Sequence, residues 1–470
     1  MIFIPYLRYT ANLVFTLAAM IVTSITLATP ALASMSDEMD EAEAFAIGYQ
    51  AFVVGAVYAR SQILMEKDIH PEAALNAPLN HFNVYPGLAK PGAIDFTPNN
   101  DTVYGLAWLD LRQGPVLITI PEVKGRYYTI QATDWALNTF SYIGSRVNSK
   151  AGTYAYVPPG WSGSLPQGVE RIEATTTGIF LQARTVVQPE NADDIEPVVA
   201  QLKTYRLEPL NKNATYMAAD PSSPVPNPKL DNPVWKSLDF FTLLNRAWDF
   251  GGVRAQDKEI VGMFASLGIG PGLTFDPATL NEAQQRGLLR GVQAGFDRVV
   301  SHKMEIGEDR NGWRYATNLG RYGSNRLLAS AAGMTGYGAN AAEEALYIPV
   351  FTDGTGENLD GSHRYRIHFD ADNLPPAEAF WSVTIYSLPE NQLIDNPIDR
   401  YAFGDRTPSL KRWLDGSIDI YVQNDRPEGD AAANWLPSPK GPFWMILRMY
   451  QPAPEALSGG YMPPPVERME

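Results

Sequence analysis

Cysteine is absent from all 470 residues. Disulfides, thiol nucleophiles and cysteine-ligated metals are therefore excluded, as is the acylated cysteine of a bacterial lipoprotein. Histidine is scarce: the five are His70, His81, His302, His363 and His368. None belongs to an HExxH motif or to an i, i+4 helical pair, and His363 and His368 would point to opposite faces of a strand. A conventional zinc site is not expected. No GxSxG nucleophile elbow, P-loop or GxGxxG opening a helix after a strand is present, so no cofactor is expected. Positive charge is also in deficit, with 37 Lys and Arg against 52 Asp and Glu and a net charge of −15. That balance opposes binding to DNA, RNA or anionic lipid.

What is present is globular. Apolar residues make up 45 % and charged residues 19 % of a length that suits two domains. Aromatic residues are abundant, with 10 Trp and 23 Tyr, which suits broad sheets and equally faces for sugars or flat ligands. Residues 1–33 carry the pattern of a secretory signal: Arg8, an apolar run from Leu13 to Leu27, and Ala31-Leu32-Ala33 as a small-x-small cleavage site before Ser34. The run is shorter than the roughly 20 residues of a spanning helix, and Pro30 follows it. A periplasmic or secreted protein cleaved after Ala33 is expected, with no stable membrane insertion afterwards. Cleavage removes Arg8 and no acid, so the mature chain is one unit more negative.

The stretch from Leu374 to Pro452 sets the plan of the chain, with three apolar, β-rich runs separated by Pro, Gly, Asn and Asp. Ahead of it, residues 36–66 predict a helix capped by Ser36, with Phe45, Tyr49, Phe52, Ala56, Ala59 and Ile63 on one stripe. Short strands follow at Thr102–Leu109, Val116–Ile120, Tyr127–Thr133, Thr139–Ile143, Tyr154–Val157, Val169–Ala174 and Ile179–Val187. Helical spacing governs Asp193–Tyr205, residues 233–249, Asp257–Leu267 and Glu282–Lys303. Strands return at Tyr347–Phe351, Tyr365–Phe369, Trp381–Ser387, Ile418–Val422 and Phe443–Tyr450. The expected fold class is α+β, mainly β. Two β-sandwich, jelly-roll-like domains are expected at 34–190 and 336–470, with a mainly helical insert at 191–335 and an N-terminal docking helix. The two β parts echo each other. Tyr128-Thr129-Ile130-Gln131 matches Val383-Thr384-Ile385-Tyr386, and Tyr154–Val157 matches Ile418–Val422, each followed by a loop with a tryptophan (Trp161, Trp435). Gly178-Ile179-Phe180 leading to Arg184 matches Gly441-Pro442-Phe443 leading to Arg448.

Specific blocks carry a resemblance. Pro98-Asn99-Asn100-Asp101-Thr102-Val103-Tyr104, Arg126-Tyr127-Tyr128 and Asp134-Trp135 resemble the N-terminal domain-of-unknown-function family numbered 1254. Phe380-Trp381-Ser382-Val383-Thr384, Asp415-Gly416-Ser417, Asn434-Trp435-Leu436-Pro437 and the run Phe443 to Tyr450 resemble the C-terminal family numbered 1214. The resemblance covers about residues 40 to 455. It implies an exported bacterial protein with paired β-sandwich domains, and brings no activity that transfers to particular residues.

Several residues are candidates for chemistry. Asn99, Asn100, Asp101 and Tyr104 combine a carboxylate, two amides and a phenol, suited to acid–base work or to holding ligand hydroxyls, or to a turn that bonds its own backbone. Tyr127, Thr129, Gln131 and Thr133 share one strand face, which is either a ligand cleft or a solvent face. Asp134 and Arg146 are a candidate pair. Arg184 and Arg448 lie inside apolar strands and need either an Asp partner or a ligand carboxylate. Trp381, Tyr386 and Trp435 are either an aromatic platform or core. The loop from Asp353 to Gly361 departs from the EF-hand pattern and reads as a hairpin turn. The favoured function is binding of a small polar organic molecule or glycan in an inter-domain cleft. The alternatives are a metal-independent hydrolase or lyase using Asp101 with Asp134 or Tyr104 as acid and base, and a structural envelope protein. Homo-oligomerisation stays open.

Overall fold

The computed structural model describes residues 10–93 and 97–470, with side chains from Met35 onward. The expected signal stretch, residues 1–33, falls outside the described side chains.

Alternating apolar and polar residues build two sheets in the first half. The strands are β1 (Thr102–Asp110), β2 (Val116–Ile120), β3 (Tyr128–Asp134), β4 (Thr139–Gly144), β5 (Gly152–Val157), β6 (Glu170–Glu173), β7 (Gly178–Val186) and β8 (Arg206–Pro209). One sheet runs β1-β7-β3-β4, with a short edge strand at Asn83–Val84 beside β1, and the other runs β6-β5-β2-β8. Val103, Ala107, Ile130, Leu181 and Ala183 of the first sheet close on Ile118, Tyr156 and others of the second. Period-2 geometry then turns Tyr104, Trp108, Gln131, Phe180 and Arg184 to the opposite, outer face.

The second half repeats this arrangement strand for strand. Its strands are β9 (Ala345–Val350), β10 (Arg364–Phe369), β11 (Ala377–Ser387), β12 (Ala402–Gly404), β13 (Ile418–Gln423), β14 (Trp435–Pro437), β15 (Phe443–Pro452) and β16 (Val466–Met469). The sheets are β9-β15-β11-β12, extended at the β9 edge by Glu308–Arg310 and Trp313–Tyr315, and β14-β13-β10-β16. Even the parallel pair recurs: β5 with β6 in one half, β13 with β14 in the other, among otherwise antiparallel ladders. The internal echo read from the sequence is thus a repeat of topology. The ladders align Thr129 and Ser382, which face Arg184 and Arg448, so the β3/β11 match is two residues out of step with the sequence echo.

The helices α1 (Thr10–Asp68), α3 (Asp239–Gly251), α4 (Glu282–His302) and α5 (Arg326–Thr335) form one layer, while α2 (Ile195–Leu202) packs on the first sandwich. The layer is not a self-contained insert: it shares its core with Trp108, Trp135 and Phe180 of the first half. Strand β8 lies beyond the boundary expected at 190 and completes the first sandwich. Helix α1 runs unbroken through Ser36, which therefore is not its cap. Met35–Asp68 is long and apolar enough to cross a membrane, but Phe52, Tyr58 and Ile63 are core residues here. Helix α4 starts with a capping box, in which Gln284 N donates to Asn281 Oδ1 at 2.8 Å and Asn281 N to Gln284 Oε1 at 3.1 Å. It crosses α1 closely because Gly287, Gly291 and Gly295 are spaced four apart. A Cβ on Gly291 would lie 2.5 Å from the Phe45 carbonyl oxygen.

Candidate functional site

The outer face of β1-β7-β3-β4 is covered twice. At the Asp110 and Gly178 end lies the helical layer; at the Thr102 and Val186 end lies the outer face of β9-β15-β11-β12, through Tyr127, Val186, Ala345, Phe380 and Tyr450. The polar strand face of Tyr127, Thr129, Gln131 and Thr133 is therefore neither solvent-exposed nor sandwich core: all four are buried.

Two arginines occupy equivalent positions at this junction. Arg184 on β7 stands between Tyr104 and Thr129; Arg448 on β15 stands between Tyr347 and Ser382. Arg184 is 3 % exposed and Arg448 4 %. The flanking Tyr104 and Tyr347 are only half-buried although both are mid-strand, and the Tyr347 hydroxyl accepts from Asn340 Nδ2 (2.8 Å). The Arg184 guanidinium sits 5.2 Å from the centre of the Tyr104 ring.

Neutral oxygens accept the hydrogen bonds of both cations. Arg184 Nη1 donates to Gln131 Oε1 (2.9 Å) and Asn340 Oδ1 (3.0 Å), and Nη2 to Gln182 Oε1 (2.6 Å) and the Gly338 carbonyl (2.9 Å). Arg448 Nη1 donates to Thr384 Oγ1 (2.8 Å) and Nη2 to the Tyr386 hydroxyl (2.9 Å). Both Nε atoms are buried without an acceptor. A guanidinium has five N–H groups, so Arg448, with two of them bonded, keeps three without an acceptor among the described residues. Among the described residues neither arginine hydrogen-bonds a carboxylate; Asp101 acts on Arg448 through its charge alone. Burial opposes the charge on Arg448, but Tyr386, Tyr450 and Asp101 outweigh it and hold the cation. Burial likewise pushes the Tyr347 phenol up, against the pull of both arginines.

Around the arginines the halves are tied together. Ser382 Oγ donates to Asp101 Oδ2 (2.7 Å) and Arg406 Nη2 to Asp101 Oδ1 (3.2 Å). Asn99 Oδ1 accepts from the Asp101 and Thr102 amides (2.6 and 3.1 Å), while its Nδ2 donates to the Tyr450 hydroxyl. The Tyr386 hydroxyl donates to the Pro98 carbonyl (2.8 Å). Glu344 accepts from the Tyr127 hydroxyl and from Arg146 Nε, both at 2.7 Å. Asn99 thus closes a turn on its own backbone, one of the alternatives open for it, and the turn presents Asp101 to the second half.

The candidates named from the sequence divide here. Asn99, Asp101, Tyr104, Tyr127, Gln131, Tyr386 and Arg448 converge on the junction, and Arg146 borders it through Glu344 rather than through Asp134. Asn100 is a neighbour that donates to the Ala89 carbonyl (2.7 Å). Asp134 is not brought to Asp101: it pairs with Ile179 at the far end of β3, roughly 20 Å along the strand at about 3.3 Å per residue. Its carboxylate accepts from the Ala136 and Asn138 amides and from Thr175 Oγ1. Trp381, Tyr386 and Trp435 form no platform. Trp381 packs on Phe369 in the second core, Tyr386 stacks on Trp444, and Trp435 Nε1 is used by the Gln423 carbonyl. In the loop at 353–361, Asp353 Oδ1 accepts from Thr355 N, Thr355 Oγ1 and Glu357 N, so it closes a turn. Among the described residues no group of three or more metal-ligating side chains occurs. Tyr347, Ser382, Thr384, Arg406 and Tyr450 escaped the sequence reading, although strand alternation from Arg448 already places Tyr450 on its face.

One solved structure shares this architecture. The VPA0106 protein of Vibrio parahaemolyticus, a crystal structure, superposes with a TM-score of 0.69 at 24 % identity, covering 91 % of this chain and 100 % of that one. An uncharacterised protein from Burkholderia cenocepacia gives a TM-score of 0.45 at 12 % identity, covering 93 % and 97 %. No curated protein matches. Residues 79–209 match the family described as protein of unknown function DUF1254, and residues 344–454 the family described as protein of unknown function DUF1214. The chain therefore carries a DUF1254 segment followed by a DUF1214 segment, and these segments hold β1 to β8 and β9 to β15 of the internal repeat.

Proposed function

We propose that the protein binds a small organic anion, carrying a carboxylate or a like oxyanion, in the cleft between its two halves. Arg448 is the main anchor, and Tyr104, Tyr347 and Arg184 line the space beside it. The observation that carries this reading is Arg448 itself, a buried cation with three N–H groups unused and no hydrogen-bonded carboxylate among the described residues. A buried charge left in that state costs several kcal/mol unless a ligand neutralises it. The carboxylate fork is the natural complement of a guanidinium. Hydroxyls on the same ligand would meet the phenols, in keeping with a small polar organic molecule. The signal pattern at 1–33 supports a site that works after export.

The hydrolase or lyase reading has less support. Asp101 is engaged by Ser382 and Arg406, and of its two expected partners Asp134 is remote, which leaves Tyr104 alone at the junction. Calorimetric titration with paired ligands tests the proposal: small carboxylates against their amides and alcohols. Carboxylates alone should release heat, and Arg448→Met should abolish it. Equal binding of the neutral analogues would refute the reading.

A further inference from the structure

On the outer face of β14-β13-β10-β16, remote from the inter-half cleft, Trp413 is the only exposed tryptophan among the described residues, at 53 %. Period-2 alternation sends Ile367, Phe369, Ile418 and Ile420 inward and leaves Arg366, His368, Asp419 and Tyr421 outside. Cross-strand register sets His368 opposite Asp419 and Arg366 opposite Tyr421.

Asp419, nearly buried, organises this face. Its Oδ1 lies 2.6 Å from His368 Nδ1, and its Oδ2 accepts from Trp413 Nε1 (2.9 Å) and the Tyr421 hydroxyl (3.2 Å). Trp413 rides on a closed loop. Trp413 N donates to the Ser417 carbonyl and Gly416 N to the Trp413 carbonyl, both at 2.9 Å, and Asp415 Oδ1 accepts from Ser417 N (3.0 Å). Gly416, at φ +92°, supplies the left-handed turn that this closure needs. Arg366 is steadied by Glu467 at 3.0 Å. The result is an open depression of about 450 Å³ lined by Trp413, Arg366, His368, Asp415 and Asp419.

We infer that this depression is a binding site for a neutral saccharide. The indole N–H is consumed by Asp419, so what the ring offers is its π surface, against which the C–H face of a sugar ring packs. Arg366, His368 and Asp415 supply donors and acceptors for hydroxyls at its rim. Their fixation by Asp419, Glu467 and the loop lowers the ordering cost of binding. Charge selects against an anionic sugar: Asp370, Asp415 and Asp419 oppose Arg366 and His368, on a chain of net charge −15. The depression matches the low end of ligand-site volumes and fits one or two sugar rings.

The test is titration of the full-length protein with cellobiose, maltose, chitobiose, galactose and glucuronate, followed by calorimetry and by tryptophan fluorescence. At least one neutral sugar should bind with a millimolar or tighter Kd, more tightly than glucuronate. Trp413→Ala should weaken it at least tenfold with the fold retained by circular dichroism, because the side chain is largely exposed. Arg448→Met should leave it unchanged. Absence of binding by every sugar, or an affinity indifferent to Trp413→Ala, would overturn the inference. So would sedimentation showing a dimer that Leu414→Ser dissolves, which would assign this face to a second copy of the chain.

Discussion

Arg184 and Arg448 hold the same place in two copies of one strand arrangement: each is central on its strand, flanked on one side by a tyrosine (Tyr104, Tyr347) and on the other by a hydroxyl residue (Thr129, Ser382). Their surroundings have diverged. Arg184 has all four Nη hydrogens bonded, whereas Arg448 has two bonded and lies beside Asp101. The guanidinium of the first copy is saturated by protein acceptors at its Nη atoms, and that of the second is not.

If Arg448 serves a ligand, it burdens the empty protein. Replacing a buried guanidinium that has only two hydrogen bonds and no bonded carboxylate with an apolar chain of similar length should stabilise, by about 1–3 kcal/mol. Arg448→Met should therefore raise Tm in the absence of ligand. A fall in Tm would mean that the residue is structural.

Asp101 behaves oppositely. Asp101→Ala leaves Arg406 and Ser382 without their acceptor at the junction of the halves, and breaking such a pair should cost about 2–4 kcal/mol. Urea unfolding measures this loss, and Asp101→Asn, which retains the Ser382 contact, should recover part of it.

The α1–α4 crossing depends on the absence of side chains. Gly291→Val places atoms against the α1 backbone at Phe45 and should cost about 3 kcal/mol or more. Exposed Gln293→Ala on the same helix should change stability far less, and unfolding of the two variants side by side makes the comparison.

His368 should titrate above its ordinary value, because the hydrogen bond and charge of Asp419, and the charge of Asp370, favour the imidazolium over the opposing effects of burial and Arg366. The folded pKa is raised, so the stabilising contribution is complete below about 6.5. It is lost as pH rises through the elevated folded value. Histidine NMR titration should show the upward midpoint, and Asp419→Asn should return it toward 6.5.

Much of the fold is legible in the chain because short apolar, β-rich runs bounded by Gly, Pro and Asp turns announce strands; Phe443 to Tyr450 and Ile179 to Val187 are examples. What covers a face is not legible. The alternation around Tyr127 predicts that Thr129 and Gln131 point together, but only tertiary assembly decides that a second sheet and a helical layer bury them. Helix α5 escaped because Ala329, Ser330, Ala331, Ala332 and Gly333 offer small residues all round instead of an apolar stripe. Trp381 and Trp435 read as well as Trp413 for a ligand platform, since residue type carries no record of exposure. Arg184 and Arg448 were visible as charges inside apolar strands; that their acceptors would be amides, hydroxyls and carbonyls was not.

The measurement that bears most directly on the central claim is isothermal titration of the full-length protein with a panel of small carboxylates, alongside Arg448→Met and Arg184→Met. The account predicts saturable binding of at least one carboxylate, abolished by Arg448→Met and weakened less by Arg184→Met. No heat from any carboxylate, or binding that survives Arg448→Met, would contradict it.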